Sequence, residues 1–80
     1  MHYLGIDIGS VALKSALLDS DASVVETCYI RTHGQPLETA LSLLKKILSS
    51  YNDIAAIAVT GYGSQVLSRL LDVPFVNEIV

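Results

Sequence analysis

The first 32 residues hold three strand-like segments whose links are too short for anything but hairpins. Residues 3–8 alternate apolar side chains with small or polar ones, residues 12–19 are apolar on both faces, and residues 24–32 are rich in β-branched and aromatic types. These patterns are typical of β-strands. Parallel neighbours need a crossover of about a dozen residues or more, whereas short turns join antiparallel neighbours. The segments therefore predict an antiparallel meander of three strands.

A helix is predicted after the meander. Pro36 suits a first helical position, where the missing proline N–H has no helical partner to lose. Beyond it, leucines recur at helical spacing and form one apolar stripe, with Ala40 and Ile47 beside it. The stripe consists of Leu37, Leu41, Leu44 and Leu48. Asn52 is the candidate for a left-handed residue that ends the helix.

An uninterrupted apolar run at residues 54–59 predicts a fourth strand that is buried on both faces and lies parallel to the first. A glycine-spaced loop at residues 60–63 follows, and then a second helix that ends before Pro74. The apolar stripe of that helix consists of Val66, Leu67, Leu70 and Leu71. Residues 73–80 begin a further element. The predicted fold class is α/β, with a mixed sheet in β-β-β-α-β-α order and strand order 3-2-1-4.

Charge and cysteine content exclude several classes of function. The chain has five Lys and Arg among 80 residues and a net charge of −3, so it lacks the basic surface that nucleic-acid binding requires. Its single cysteine, Cys28, excludes an internal disulfide. The start has no basic signal-peptide region, and the longest uncharged stretch, residues 54–68, is too short and too polar to cross a bilayer. We therefore expect a cytoplasmic chain that binds neither nucleic acid nor membranes.

Residues 7–14 hold the groups that a bound phosphate needs. Gly9 and Ser10 lie at the predicted turn, where backbone amides can point at an anion, and Ser10 adds a hydroxyl. Lys14 follows on the second strand, and Asp7 lies near the end of the first, where a carboxylate can hold the water shell of Mg²⁺. The spacing is not that of a Walker A loop. An ordinary hairpin, with Asp for the turn and Lys for solubility, explains the same residues.

A second candidate anion site lies between the fourth strand and the second helix. Thr60, Gly61 and Gly63 belong to a Thr-Gly-Tyr-Gly segment, and a strand end followed by a helix N-terminus is a common place for anions to bind. Turn formation by the glycines alone explains the segment as well.

Three motifs, taken in chain order, resemble one family. They are the stretch YLGIDIGSVALKSALLD from Tyr3 to Asp19, the segment Thr60-Gly61-Tyr62-Gly63, and the pair Glu78-Ile79. This combination is similar to the ATP-dependent activators of 2-hydroxyacyl-CoA dehydratases and benzoyl-CoA reductases, within the actin-like ATPase superfamily. The resemblance spans the whole chain and implies a ribonuclease H-like fold.

The resemblance also implies roles for the residues of the first motif. Asp7 would organise Mg²⁺ through water, Gly9 and Ser10 would contact the phosphates of ATP or ADP, and Lys14 would neutralise them. Cys28 does not match a cysteine that binds the family's iron–sulfur cluster.

The same resemblance implies that residues 1–80 are the N-terminal part of a longer, ATP-hydrolysing protein, cut short after residue 80. In the family, ATP lies between two similar domains, and a [4Fe–4S] cluster bridging a homodimer passes electrons to a dehydratase or reductase partner. The second phosphate motif and the cluster cysteines come later in the family. We therefore expect the 80-residue chain to be inactive alone. It is also expected to self-associate through an open, apolar edge at residues 54–59.

Two alternatives stay open. Ser64 stands where the family has Arg, and Val11 and Ala12 stand where it has Thr, so fewer hydroxyls line the phosphate loop. These departures suit a non-catalytic interaction or regulatory module that keeps the fold. A small-molecule kinase of the same superfamily would share the sheet and carry a catalytic carboxylate further along the chain.

Overall fold

The computed structural model describes residues 1–61 and 75–77. In that part of the chain the elements are β1 (His2–Ile8), β2 (Ala12–Asp19), β3 (Val24–Arg31), α1 (Pro36–Ser50), β4 (Ile54–Gly61) and β5 (Phe75–Asn77). The strands form one mixed sheet in the order β3-β2-β1-β4-β5. The first three strands pair antiparallel, whereas β4 is parallel to β1 and β5 is parallel to β4. The predicted α/β class and strand order 3-2-1-4 are confirmed, with β5 added beside β4.

The alternation of side chains in β1 decides which face of the sheet is buried. Leu4, Ile6 and Ile8 are each at most 3% exposed, and they point toward α1. Buried residues of the neighbouring elements complete this core, namely Leu13, Leu17, Ala40, Leu43, Leu44, Ile47, Ile57 and Val59. Each large aliphatic side chain contributes roughly 1.5–3 kcal/mol by leaving water. No helix within residues 1–61 lies over the other face of the sheet, where the candidate site is found.

The helix begins at Pro36 as predicted, and Leu44, with Ala40 and Ile47 beside it, is buried as predicted; the difference is that Leu43 is buried in place of the other leucines of the stripe. Of the four leucines in that stripe, only Leu44 is fully buried, and the others are half-buried. The buried face is centred on Ala40, Leu43, Leu44 and Ile47. Because Ala40 has only a methyl group, this face allows the closest approach of the helix to the sheet.

Tyr51 ends α1 and leads the chain directly toward β4. Its backbone is extended (φ −129°, ψ 118°), its ring lies 4.9 Å from that of His2, and its hydroxyl donates to Oε2 of Glu26 (3.1 Å). That hydrogen bond to the carboxylate raises the pKa of Tyr51. The predicted left-handed stop at Asn52 is wrong, since Asn52 is not among the residues with positive φ. The contacts of the Tyr51 ring with the sheet require the extended exit instead.

The end of β4 differs from the prediction in two ways. The strand continues through Thr60 and Gly61, so the predicted loop at residues 60–63 begins inside the strand. In addition, β5 pairs with Ile57–Val59, so the predicted open edge is covered there. The partner comes from residues 73–80, which were predicted only to begin a further element. The predicted second helix lies outside the described residues.

Candidate functional site

Polar side chains of three neighbouring strands meet at Asp7. This residue is opposite Lys14 in the antiparallel β1–β2 pair and opposite Thr60 in the parallel β1–β4 pair. Opposite residues on adjacent strands lie on the same face of a sheet, with Cβ atoms about 5 Å apart. Because Asp7 points away from the core formed by its neighbours, all three lie on the face opposite α1. The structure thus brings together three of the site residues singled out from the sequence.

The charged members of this group are available to a ligand. Asp7 and Lys14 are exposed, and Thr60 is half-buried. Within residues 1–61, Asp53 forms an ion pair with the amino group of Met1 and a hydrogen bond with His2, whereas Asp7 and Lys14 form no ion pair. Neighbouring Asp7 and Lys14 can therefore act on opposite charges of one ligand. The ammonium attracts an anion, and the carboxylate accepts hydrogen bonds from a hydrated cation.

These three residues line one part of an open groove, which we call the sheet groove. Its volume is about 340 Å³, and its lining also includes Gly5, Ala16 and Ala58. Gly5 is opposite both alanines in the registers of β1 with β2 and β4, so small side chains form a continuous floor. The groove therefore combines an apolar floor with a polar end at Asp7.

The turn between β1 and β2 is closed by its own backbone. The Gly9 N–H donates to the Ala12 carbonyl (2.9 Å), and a methyl group on Gly9 would lie 2.6 Å from that same oxygen. The turn itself thus requires glycine at position 9, whether or not a phosphate approaches it. Ser10 and Val11 are exposed at the tip of the turn, and Ser10 faces solvent beside Arg31 and His33 rather than lining the sheet groove.

Gly61 lies at the same edge of the sheet as this turn. It is opposite Ile8 in the β1–β4 pair, has φ +98°, and would place a methyl group 2.2 Å from the Ile8 carbonyl oxygen. No other residue fits this position without moving the backbone. The structure therefore gives Gly61 a definite role in strand pairing, and Gly63 lies outside the described residues.

Thr32 holds the β1–β2 turn at the edge of this site, and the sequence analysis missed it. It is 1% exposed and is the one buried polar side chain in the described part of the chain. Its hydroxyl donates to the Ser10 carbonyl (2.7 Å), and its N–H donates to the Val11 carbonyl (2.9 Å). The sequence signal was weak, because a threonine that follows a β-branched strand looks like one more strand residue.

The available donors suit Mg²⁺ that is held mainly by phosphate and water. Within the described residues, no three His, Cys, Asp or Glu side chains gather to hold a metal ion. Mg²⁺ usually keeps several waters and takes one or two carboxylates beside substrate phosphates, and the exposed Asp7 fits that role. A [4Fe–4S] cluster does not fit, because such clusters need several thiolates and the chain has only Cys28, half-buried in β3.

Comparison with known proteins identifies the fold. No family profile and no curated protein sequence matches the chain. Among solved structures, the activator of 2-hydroxyisocaproyl-CoA dehydratase from Clostridium difficile with bound ADPNP is 26% identical, with a TM-score of 0.71 over 99% of this chain and 29% of that one. Component A of (R)-2-hydroxyglutaryl-CoA dehydratase from Acidaminococcus fermentans is 25% identical, with a TM-score of 0.71 over 96% of this chain and 30% of that one. The Lmo2764 protein from Listeria monocytogenes, a suggested N-acetylmannosamine kinase, is 20% identical, with a TM-score of 0.73 over 99% of this chain and 35% of that one.

These similarities show that the chain has the fold of the actin-like ATPase superfamily, which includes both sugar kinases and dehydratase activators. The chain spans about a third of the length of the solved structures it matches. In the described part, no helix has the length and apolar character needed to cross a membrane.

Proposed function

We propose that this chain forms the phosphate- and magnesium-binding part of a nucleotide site in an ATPase. The ATPase would activate a dehydratase or reductase of CoA substrates by ATP-driven electron transfer, in the cytoplasm. The observation that carries the proposal is the meeting of Asp7, Lys14 and Thr60 on three adjacent strands. Support comes from the fold, which a dehydratase activator with bound ADPNP shares.

Each residue at the meeting point has a distinct proposed role. The Lys14 ammonium attracts the phosphates of the nucleotide and offsets part of their charge. The Asp7 carboxylate accepts hydrogen bonds from the water shell of Mg²⁺, and the ion itself supplies charge neutralisation at the phosphates when it is bound. Thr60 offers a hydroxyl on the other side of Asp7.

The turns at the edge of the sheet supply the remaining proposed contacts. Ser10 contributes its backbone amide and its hydroxyl to phosphate oxygens, as N–H groups of turns do in other anion sites. Gly9, whose own N–H is bonded to the Ala12 carbonyl, keeps the turn tight enough for the phosphates to approach. Gly61 and Gly63 contribute amides from the end of β4 and from the segment that follows it. Because the chain spans about a third of the matched structures, we expect it to bind nucleotide without hydrolysing it.

Titration of the purified chain with ADP, in Mg²⁺ and in EDTA, tests the binding site by calorimetry. Lys14→Met keeps the length of the side chain and removes its charge, so we expect affinity to fall by about tenfold, as for one lost charged hydrogen bond. Asp7→Asn should remove most of the gain in affinity that Mg²⁺ gives, with less effect in EDTA. The matched control is Lys45→Met, because Lys45 is exposed on α1, away from the site.

Two results would contradict the binding proposal. One is the absence of saturable ADP binding by the unaltered chain at millimolar concentrations. The other is an equal loss of affinity in the Lys14 and Lys45 variants, which would reduce Lys14 to a general contribution to surface charge.

The activator role is tested on the protein purified from its own cells without oxygen. An oxygen-sensitive, coloured dimer that passes electrons to a dehydratase or reductase only with ATP would support it. A colourless protein that phosphorylates a sugar, or one with no nucleotide affinity, would contradict it and favour the kinase or the non-catalytic module.

A further inference from the structure

Thr32 fixes the tip of the β1–β2 turn from inside the protein. Its hydroxyl donates to the Ser10 carbonyl at 2.7 Å, and its backbone N–H donates to the Val11 carbonyl at 2.9 Å. Its own carbonyl accepts a hydrogen bond from the Gln35 N–H at 2.8 Å, just before α1 begins. Thr32 itself is 1% exposed, so its side of these bonds is shielded from water, whereas Ser10 and Val11 are exposed. The turn, the end of β3 and the start of α1 are thereby joined through one residue.

The bond to the Ser10 carbonyl has a geometric consequence for the next amide. The Ser10 carbonyl and the Val11 N–H belong to one planar trans peptide unit, so they point in opposite directions. Because Thr32 holds the carbonyl toward the interior, the Val11 N–H points away from it. That N–H donates to no backbone carbonyl among the described residues. The Val11 side chain, 68% exposed, shows that the outer side of the turn is open.

We propose that Thr32 is a positioning residue, which orients the Ser10–Val11 peptide so that the Val11 N–H is presented to a phosphate oxygen of the nucleotide. This inference rests on the proposed nucleotide site and adds a residue that does not itself touch the ligand. Without the hydroxyl, the Ser10 carbonyl loses this partner, and the peptide can take up other orientations within the limits set by the Thr32 N–H on the Val11 carbonyl. In this proposal the Thr32 hydroxyl orients the peptide, and the Thr32 methyl group only fills space.

Three variants separate the hydroxyl from the shape of the side chain. Thr32→Val keeps the shape and removes the hydroxyl, whereas Thr32→Ser keeps the hydroxyl and removes the methyl group. The control is Thr39→Val, because the Thr39 hydroxyl also donates to a backbone carbonyl, that of Gln35 (2.8 Å), but on the exposed first turn of α1. Thermal unfolding gives the temperature at which each variant begins to unfold, and all measurements are made below that temperature.

Two readouts are then compared. Residual dipolar couplings of the Val11 N–H in the ligand-free chain report its orientation, and titration with MgADP gives the affinity. We expect Thr32→Val to change the coupling and to weaken binding by about tenfold, as for one lost hydrogen bond of a charged group. Thr32→Ser should restore both values, and Thr39→Val should change neither.

The outcomes distinguish this inference from the proposed function. Unchanged Val11 couplings in Thr32→Val would overturn the positioning role, as would a changed coupling with unchanged affinity. Absence of MgADP binding by the unaltered chain would overturn the proposed nucleotide site. If the unaltered chain does not bind MgADP but the Val11 coupling changes in Thr32→Val, Thr32 still orients the Ser10–Val11 peptide, and only the nucleotide site is wrong.

Discussion

At the scale of single residues, Gly34 and Gly61 both have positive φ, but only Gly61 has no room for a methyl group. The φ values are +77° and +98°, and a Cβ on Gly61 would meet the Ile8 carbonyl oxygen at 2.2 Å, whereas nothing lies within 4 Å of one on Gly34. We expect Gly61→Ala to reduce the free energy of unfolding by about 3 kcal/mol, because backbone strain and displacement of β1 add together. Urea denaturation measures the change.

Gly34→Ala is the matched control for this prediction. It carries the cost of a left-handed alanine, about 1 kcal/mol, without any steric clash. Equal losses of unfolding free energy in the two variants would show that the close approach of β4 to β1 at Ile8 adds nothing to the cost of Gly61→Ala.

At the scale of elements, the orientation of α1 predicts unequal roles for two leucines in the same stripe. Leu44 is 2% exposed in the core, and Leu48, one turn later, is half-buried. We expect Leu44→Ala to cost about 3 kcal/mol and Leu48→Ala about 1 kcal/mol, because the cost of a truncation follows the buried volume it leaves empty. Urea denaturation measures both losses in the free energy of unfolding. Equal losses would contradict this difference in burial and would support the leucine stripe predicted from the sequence.

Local pattern explains why much of the fold was predictable. The alternation of Leu4, Ile6 and Ile8 and the short turns identify the meander, since both are properties of neighbouring residues. The face of α1 was predictable only in part, since Ala40, Leu44 and Ile47 were named but Leu43 was not. A wide apolar arc permits several rotations of the helix, and only packing against the sheet selects one of them. The pairing of β5 with β4 depends on residues far apart in sequence and could not be inferred from either segment.

The same distinction applies to the candidate site. Asp7, Gly9 and Lys14 belong to one hairpin, so their association follows from the turn between them. Thr60 was singled out by its motif, but its position opposite Asp7 requires the parallel register of β4. Thr32 was missed because its partner carbonyl, on Ser10, lies two strands earlier.

At the scale of the whole molecule, self-association stays a prediction, and the structure changes its expected location. The outer edge of β3 has no strand beside it among the described residues, and Val24, Val25 and Tyr29 are exposed there. Unpaired edges of this kind template further strands. We expect concentration-dependent dimers in sedimentation experiments, reduced by Val25→Lys and unaffected by Val11→Lys, which places the same charge in a turn. A monomer at all concentrations would contradict this.

The central position of β1 also has a consequence for the order in which the molecule assembles. Asp7 and Lys14 are joined by a short hairpin, whereas Thr60 reaches Asp7 only after the whole of α1 has been traversed. Closing a long loop costs more entropy than closing a short one, so we expect the meander to form early and the β1–β4 pairing to form last. A nucleotide that contacts both sides of Asp7 would therefore bind only after β1 and β4 have paired, and it would stabilise the folded chain by mass action.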